Sequence, residues 1–163
     1  MNASSKLSQQ GHRLLQVGMG LILYSAAIGF VIPVLASPRI GLSVHTLSGF
    51  NGVFFLVQGL LWSRLALGDR AARVAFWCSI HGNLQIVATY TLAAIWGVGI
   101  ESIQLMGELP HGLSRGTPFQ EGVILFLMIA SGPTGLASWL LILWGLRRPA
   151  EPPLRAPVSA ASI

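Results

Sequence analysis

Four long stretches of the sequence contain no Asp, Glu, Lys or Arg, and each is long enough to cross a membrane once. A spanning helix needs roughly 20 apolar residues, whereas a spanning strand needs about half as many and alternates in polarity. The stretches are residues 14–35, 40–63, 74–100 and 122–146. We therefore predict an all-α integral membrane protein, a four-helix bundle in a single transmembrane domain. Its helices are expected at about 14–35, 43–66, 73–99 and 120–146, followed by a disordered tail at 147–163.

Composition and charge distribution support this class. Hydrophobic residues make up 53% of the 163 residues and charged residues only 9%, against about 25% charged in a soluble domain. The first stretch exceeds the 7–15 apolar residues usual for a signal peptide, so we expect a retained helix. The single cysteine excludes an intrachain disulfide.

The net charge of +5 indicates membrane orientation rather than nucleic-acid binding. Only two basic residues, Arg39 and Arg115, flank one side of the predicted bundle. By the positive-inside rule, both termini and the 64–73 connection should be cytoplasmic. The basic residues on that side are Lys6, Arg13, Arg64, Arg70, Arg73, Arg147, Arg148 and Arg155.

The second stretch carries polar residues that are costly in hydrocarbon, and their spacing defines two faces. One face combines a histidine with almost no other side chains: His45, Ser48, Gly49, Gly52 and Gly59. Such a strip allows a broad, flat group to approach closely, although a helix-packing seam is the simpler interpretation of the glycines. Beside it run Ser48, Asn51, Phe55 and Gln58.

The short connection between the second and third stretches predicts an antiparallel hairpin centred near residues 70–71. Residues whose numbers sum to about 141 should then lie at similar depth. Asn51 falls level with Tyr90, and Gln58 falls level with Asn83, which predicts a hydrogen bond between the two amides. His45, Asn51 and Tyr90 gather in the non-cytoplasmic half of this hairpin. His45 is then either a metal ligand or a solvated interfacial residue.

Other chemistry is poorly supported. His81 lies roughly 20 Å from His45 along the hairpin, so the two cannot clamp one haem in a single chain. A haem on His45 would keep one face open to a small molecule. The outer loop holds Glu101, Glu108, Glu121 and His111, and solvation explains them. The sequence has no nucleophile elbow, P-loop, HExxH or dinucleotide fingerprint.

The chain resembles the styrene oxide isomerase family over roughly residues 11–146. The motif that carries the resemblance is His45-x5-Asn51-Gly52 followed by Tyr90 at the family interval. Further similarities are the Gly11-His12 pair, the Arg-rich 64–73 turn with Asp69 and Arg73, and a proline, Pro133, within the fourth helix.

The resemblance implies a homotrimer in the bacterial inner membrane that binds haem b between subunits. His45 would be the axial iron ligand, beside the candidate cofactor-binding Gly49 and Gly52, and Asn51 and Tyr90 would be catalytic. The implied reaction is the Meinwald rearrangement of a lipophilic aryl epoxide, such as styrene oxide, to an aldehyde. One departure is Gly82, where the family pattern has an aspartate eight residues before the tyrosine.

Two alternatives stay open at this point. One is a haem-binding membrane protein of cytochrome or sensor type, with a second ligand from His81 or a partner. The other is a small membrane protein without catalytic activity, whose polar residues hold its helices together.

Overall fold

Four α-helices form the part of the chain that the computed structural model describes, residues 3–98 and 116–147. The helices are α1 (Ala3–Val31), α2 (Pro38–Leu61), α3 (Asp69–Trp96) and α4 (Pro118–Leu146). Single 3₁₀ turns at Ile32–Val34 and Trp62–Arg64 follow α1 and α2. The all-helical prediction is confirmed for the described residues. The predicted tail beyond Arg147 and most of the predicted outer loop lie outside them.

The helix limits follow capping residues rather than charges. α2 begins five residues before the predicted start because Ser37 accepts a hydrogen bond from the Ile40 amide and Pro38 occupies the first turn. α4 begins with a capping box in which Thr117 and Gln120 satisfy each other's backbone amides. α3 ends where Gly97 adopts a left-handed conformation with φ of 67°.

Contacts at the two ends show that successive helices run in opposite directions. At one end, the Ala66 amide of the α2–α3 connection donates to the Gly145 carbonyl at 3.0 Å. The Trp62 indole also donates there to Gln10 of α1 at 3.1 Å. At the other end, the Ser37 amide donates to the Ala94 carbonyl. The start of α1, the end of α4 and the 64–73 connection therefore share one end of the bundle, and its cytoplasmic orientation stays a prediction.

Three segments are long and apolar enough to cross a membrane: Leu7–Val34, Pro38–Arg64 and Pro118–Leu146. They fit a membrane protein. α3 has 28 residues, which is sufficient length, but polar side chains lower its hydropathy. Those side chains include His81, Asn83, Gln85 and Tyr90. The fourth crossing stays a prediction.

A seam of paired glycines joins α1 to α2. A Cβ on Gly52 would lie 2.9 Å from the Gly18 carbonyl oxygen, and one on Gly18 would lie 2.8 Å from the Gly52 oxygen. Gly11 and Gly59 approach each other in the same reciprocal way, at 2.9 and 2.8 Å. The two backbones are thus in direct contact, as is usual where small residues line membrane-helix interfaces.

A second close crossing joins α3 to α4. A Cβ on Gly82 would lie 2.7 Å from the Gly135 nitrogen and 2.8 Å from its Cα. Ser131 and Ser138, which flank Gly135 on α4, are 7% and 1% exposed. A face of small residues on α4 therefore packs against α3.

The hairpin register differs from the predicted one by about a helical turn. The Ser79 hydroxyl donates to Gln58 Oε1 at 2.5 Å, and the numbers of these two residues sum to 137. The predicted hydrogen bond between Gln58 and Asn83 is therefore wrong, and Asn83 donates instead to the Ser79 carbonyl of its own helix. The reason is the connection, where a 3₁₀ turn and extended residues Leu65–Gly68 move the centre of the hairpin.

Candidate functional site

The imidazole of His45 is held against α1 by Ser25. Its Nδ1 lies 2.7 Å from the Ser25 carbonyl oxygen and 3.3 Å from the Ser25 hydroxyl, which donates to the His45 carbonyl at 2.6 Å. A carbonyl oxygen only accepts hydrogen bonds, so Nδ1 must carry the hydrogen. In the neutral ring, Nε2 then has the free lone pair, and no hydrogen bond among the described residues engages it.

This arrangement matches the chemistry of a metal-binding histidine. Ligating histidines usually donate their other ring N–H to a carbonyl or carboxylate, which fixes the tautomer and the ring orientation. His45 is half-buried and lies about 10 Å from the start of α2. Within residues 3–98 and 116–147, no group of three or more His, Cys, Asp or Glu could hold a metal ion. A cofactor on His45 stays a prediction.

The glycines beside His45 face α1. Gly52 contacts the backbone of Gly18, and a Cβ on Gly49 would lie 3.0 Å from the Ser25 hydroxyl. The packing interpretation accounts for both glycines, because α1 covers the strip that they form. Their part in cofactor binding stays a prediction.

Tyr90 lies in a groove of about 520 Å³ between α2 and α3. The tyrosine is half-buried, and its hydroxyl has no hydrogen-bond partner among the residues that the structure describes. The hydroxyls of Ser43 and Thr46 bond to carbonyls of their own helix, so the phenol is the free polar group of the groove. The other lining residues are Leu42, Leu47 and Phe50.

Asn51 lies in the core rather than in this groove. It is 6% exposed, on the face of α2 that also buries Ser48 and Phe55 completely. Its Nδ2 has no hydrogen-bond partner in the described structure. The predicted stripe of Ser48, Asn51, Phe55 and Gln58 is buried in full.

Among the described residues, the Tyr90 groove does not include the other predicted site residues. His45 and Asn51 are both absent from the lining of the Tyr90 groove. The groove nevertheless borders His45, because the adjacent Thr46 lines it about 100° around α2. The Gln58–Ser79 and Ser37–Ala94 hydrogen bonds place His45 level with residues 86–92 of α3, within about one helical turn of Tyr90.

His81 occupies a different surface. It is exposed and lines a groove of about 440 Å³ between α3 and α4, together with Trp77 and Gln85. The observed register places it level with residue 56, about 16 Å from the depth of His45. Ligation of one haem by both histidines of a single chain is therefore excluded on geometry. No described residue forms a hydrogen bond with the His81 ring.

Ser25 is the site residue that sequence reasoning missed. The contact pairs of the α1–α2 seam are Gly11 with Gly59, Gly18 with Gly52, and Ser25 with His45, so the numbers of each pair sum to 70. The sequence signal was the seven-residue spacing of Gly11, Gly18 and Ser25 on α1. The acidic residues Glu101 and Glu108 and the nearby His111 lie outside the described residues. Glu121 lies in the first turn of α4.

Comparison with known proteins adds an activity class. The family model described as styrene oxide isomerase matches residues 10–147. The chain is 38% identical to hydroxylaminobenzene mutase HabB of Ectopseudomonas oleovorans, over 91% of this chain and 92% of that protein. It is 32% identical to hydroxylaminobenzene mutase HabA of the same organism, over 80% of this chain and 94% of that protein.

No solved structure matches the chain. The family description and the names of both relatives denote isomerisation, so the catalytic alternative is supported over an electron carrier, a sensor or a purely structural membrane protein. The match spans all four helices. The chain belongs to the styrene oxide isomerase family and is an isomerase.

Proposed function

We propose that this isomerase rearranges a small aromatic molecule within the membrane, and that haem b held by His45 takes part. The reaction would begin by weakening the C–O or N–O bond of the substrate. The observation that carries the proposal is the His45 ring, whose Nδ1 is committed to the Ser25 carbonyl and whose Nε2 has no hydrogen-bond partner in the described part of the chain. An imidazole in that state, in an apolar helix, is prepared to bind a metal.

Haem b suits the donor set, because the porphyrin supplies four ligands and His45 supplies one. When bound in the ferric state, the haem provides a Lewis acid for the substrate's oxygen. His81 is too far along the axis to add a second ligand from the same chain. The chain's own contribution is then to orient the imidazole, to bind the substrate and to exclude water.

Two substrate classes share the required chemistry, because an aryl group stabilises positive charge where the oxygen departs. In an aryl epoxide, the benzylic C–O bond opens and a 1,2-hydride shift gives the isomeric aldehyde, as the resemblance implied for styrene oxide. In an arylhydroxylamine, the N–O bond opens and the hydroxyl group moves to a ring carbon. That ring carbon loses its proton and the nitrogen gains one, so the product is an aminophenol, an isomer of the substrate.

The arylhydroxylamine is the better supported substrate. Both curated relatives are named hydroxylaminobenzene mutases and match this chain over most of their length. The Gly82–Gly135 crossing leaves no room for the aspartate that the family pattern has at this position, so the chain departs there from the epoxide isomerases that it resembles. The description of the family model keeps the aryl epoxide as the second candidate.

The groove beside Tyr90 provides the remaining functions. Its volume of about 520 Å³ lies in the usual range for small-molecule sites, and Leu42, Leu47 and Phe50 give it an apolar wall. We assign to the unengaged Tyr90 hydroxyl the donation of a hydrogen bond that orients the substrate's oxygen. An apolar wall limits capture of the developing cation by water.

We further propose that the site is completed by a neighbouring copy in a trimer in the bacterial inner membrane. The half-exposed His45 and the groove that borders it both open on the outer face of α2. A second copy against this face would enclose a cofactor and a substrate that one chain leaves exposed. Lipophilic substrates also concentrate in the bilayer that surrounds such a site.

A substrate panel tests the proposal. Haem-loaded protein in detergent is given hydroxylaminobenzene or styrene oxide in ¹⁸O-labelled water, and products are identified by mass spectrometry. We expect an aminophenol of unchanged mass from hydroxylaminobenzene, because an intramolecular shift takes no oxygen from water. Conversion of styrene oxide alone to phenylacetaldehyde would reverse the substrate assignment, and conversion of neither would refute the function.

A further inference from the structure

We propose that Ser25 and Gly29 of α1 are positioning residues for the His45 ring: the Ser25 carbonyl fixes its tautomer, and Gly29 leaves the space in which it lies. The inference rests on the proposed function, since it concerns the ligand that would bind haem. It assigns a role at the iron to α1, whose residues were absent from the predicted site.

The α1–α2 seam brings Ser25 to His45. Glycine pairs form two successive rungs of this seam, with a spacing of seven residues on each helix, and the Ser25–His45 pair forms the third. Glycines at the first two rungs bring the helix backbones into direct contact, which fixes their register. A main-chain oxygen of α1 is thereby placed 2.7 Å from Nδ1 of His45, a distance that a wider helix spacing would not allow.

The Ser25 side chain locks the same contact. It is 7% exposed, and its hydroxyl donates to the His45 carbonyl at 2.6 Å. A Cβ at position 49 would lie 3.0 Å from this hydroxyl, so Gly49 is the residue that makes room for it. The neighbouring Tyr24 hydroxyl is 2.8 Å from the Thr91 hydroxyl, which ties this turn of α1 to α3 as well.

Gly29 lies four residues beyond Ser25, on the same face of α1. A Cβ at this position would lie 3.3 Å from Nδ1 of His45 and 3.5 Å from its Cε1. The first distance is tighter than an ordinary van der Waals contact, so even alanine would press on the ring beside its hydrogen-bonded nitrogen. Gly29 therefore limits where the ring can turn, and Ser25 sets which nitrogen faces the metal.

The test compares two variants that each add or remove one heavy atom with two matched controls. Ser25→Ala keeps the main-chain carbonyl but removes the hydroxyl that locks this carbonyl against His45, and Gly29→Ala presses on the ring. Ser131→Ala is the serine control, since Ser131 is also 7% exposed but bonds only to Met128 of its own helix. Gly20→Ala is the glycine control on α1, because a Cβ there would meet nothing within 4 Å.

Two readouts are taken on haem-loaded protein: the rate of haem transfer to apomyoglobin, and the iron–histidine stretching frequency of the ferrous form, which responds to the Nδ1–H hydrogen bond. We expect Gly29→Ala to lose haem 10- to 100-fold faster and Ser25→Ala about tenfold faster, as outer-shell changes usually do. Both should shift the stretching frequency, while the controls behave as wild type.

The failures of the two proposals are distinguishable. If His45→Ala loses haem but Ser25→Ala and Gly29→Ala match their controls in both readouts, the positioning role is refuted and the haem assignment stands. If His45→Ala keeps haem with an unchanged spectrum, the ligand assignment is wrong and the positioning role is refuted with it.

Discussion

Two side-chain amides of α2 lie in the core, and the NH₂ group of each lacks a hydrogen-bond partner in the described structure. Asn51 and Gln58 are 6% and 5% exposed, and neither amide nitrogen has a partner among the described residues. Gln58 at least accepts a hydrogen bond from Ser79, which gives it a structural role. Asn51 has no such bond. An unpaired buried amide costs about 1–3 kcal/mol, so Asn51 is a candidate for a functional requirement.

Replacing Asn51 should therefore separate stability from activity. We expect Asn51→Leu to raise the free energy of unfolding by about 1 kcal/mol, since an unsatisfied polar group leaves the core, and to lower the rearrangement rate. Thermal unfolding in detergent and initial rates measure the two effects. Ser138→Ala is the control, because Ser138 is equally unpaired but lies on α4. Wild-type rates in Asn51→Leu would remove Asn51 from the catalytic residues.

Tyr90 is expected to act on the substrate and not on the cofactor. Tyr90→Phe should keep full haem content, because the ring stays in place, and should lower kcat at least tenfold, because the hydrogen bond to the substrate's oxygen is lost. Rates and the absorption spectrum of the same preparation provide the measurement and its control. A variant with normal haem content and wild-type kcat would contradict the role assigned to the phenol.

At the scale of elements, glycines determine which helices meet and at what height. The sequence identified the glycine strip of α2 as a possible packing seam, and the structure shows α1 lying on it. It could not show that Ser25 would meet His45, because that contact depends on the register between α1 and α2. The predicted register of the α2–α3 hairpin differs from the observed one by about a turn for a related reason. A run without charged residues does not show that the α-helix ends in a 3₁₀ turn at Trp62–Arg64.

The α3–α4 crossing offers an asymmetric pair of substitutions. Gly82→Ala would place a Cβ 2.7 Å from backbone of Gly135, whereas a Cβ on Gly135 itself meets nothing within 4 Å. We expect Gly82→Ala to lower the free energy of unfolding by about 1–3 kcal/mol through overpacking. Gly135→Ala should be neutral or raise it by up to about 1 kcal/mol through helix propensity. Equal unfolding midpoints in detergent would show that the crossing is looser than described.

At the scale of the whole molecule, the bundle gathers all but one of its described basic residues at one end. Arg13, Arg64, Arg70, Arg73 and Arg147 lie there, and Arg39 lies at the other end. Three helices have the hydropathy of membrane spans, and α3 has only the length. Sequence reasoning predicted four crossings because it counted charges alone. Polar groups such as the exposed His81 are costly in hydrocarbon, so the crossing of α3 stays a prediction.

Cysteine labelling tests the crossing of α3 directly. In a Cys78→Ser background, Arg70→Cys and Phe119→Cys replace exposed residues in the first turns of α3 and α4. Arg39→Cys, at the same end as Phe119, is the control. In spheroplasts, an impermeant maleimide should label positions 39 and 119 but not 70, since the basic end is predicted to face the cytoplasm. Labelling of 39 without 119 would show that α3 does not cross.

Haem ligation by His45 is tested most directly by the absorption spectrum of the purified protein, wild type and His45→Ala, after expression with ample haem. We expect a Soret band for the wild type, typical of ferric haem with one histidine ligand and an open or water-bound sixth position. We expect His45→Ala to lose that band. A wild-type protein without haem, or a bis-histidine spectrum that survives the substitution, would contradict haem ligation by His45.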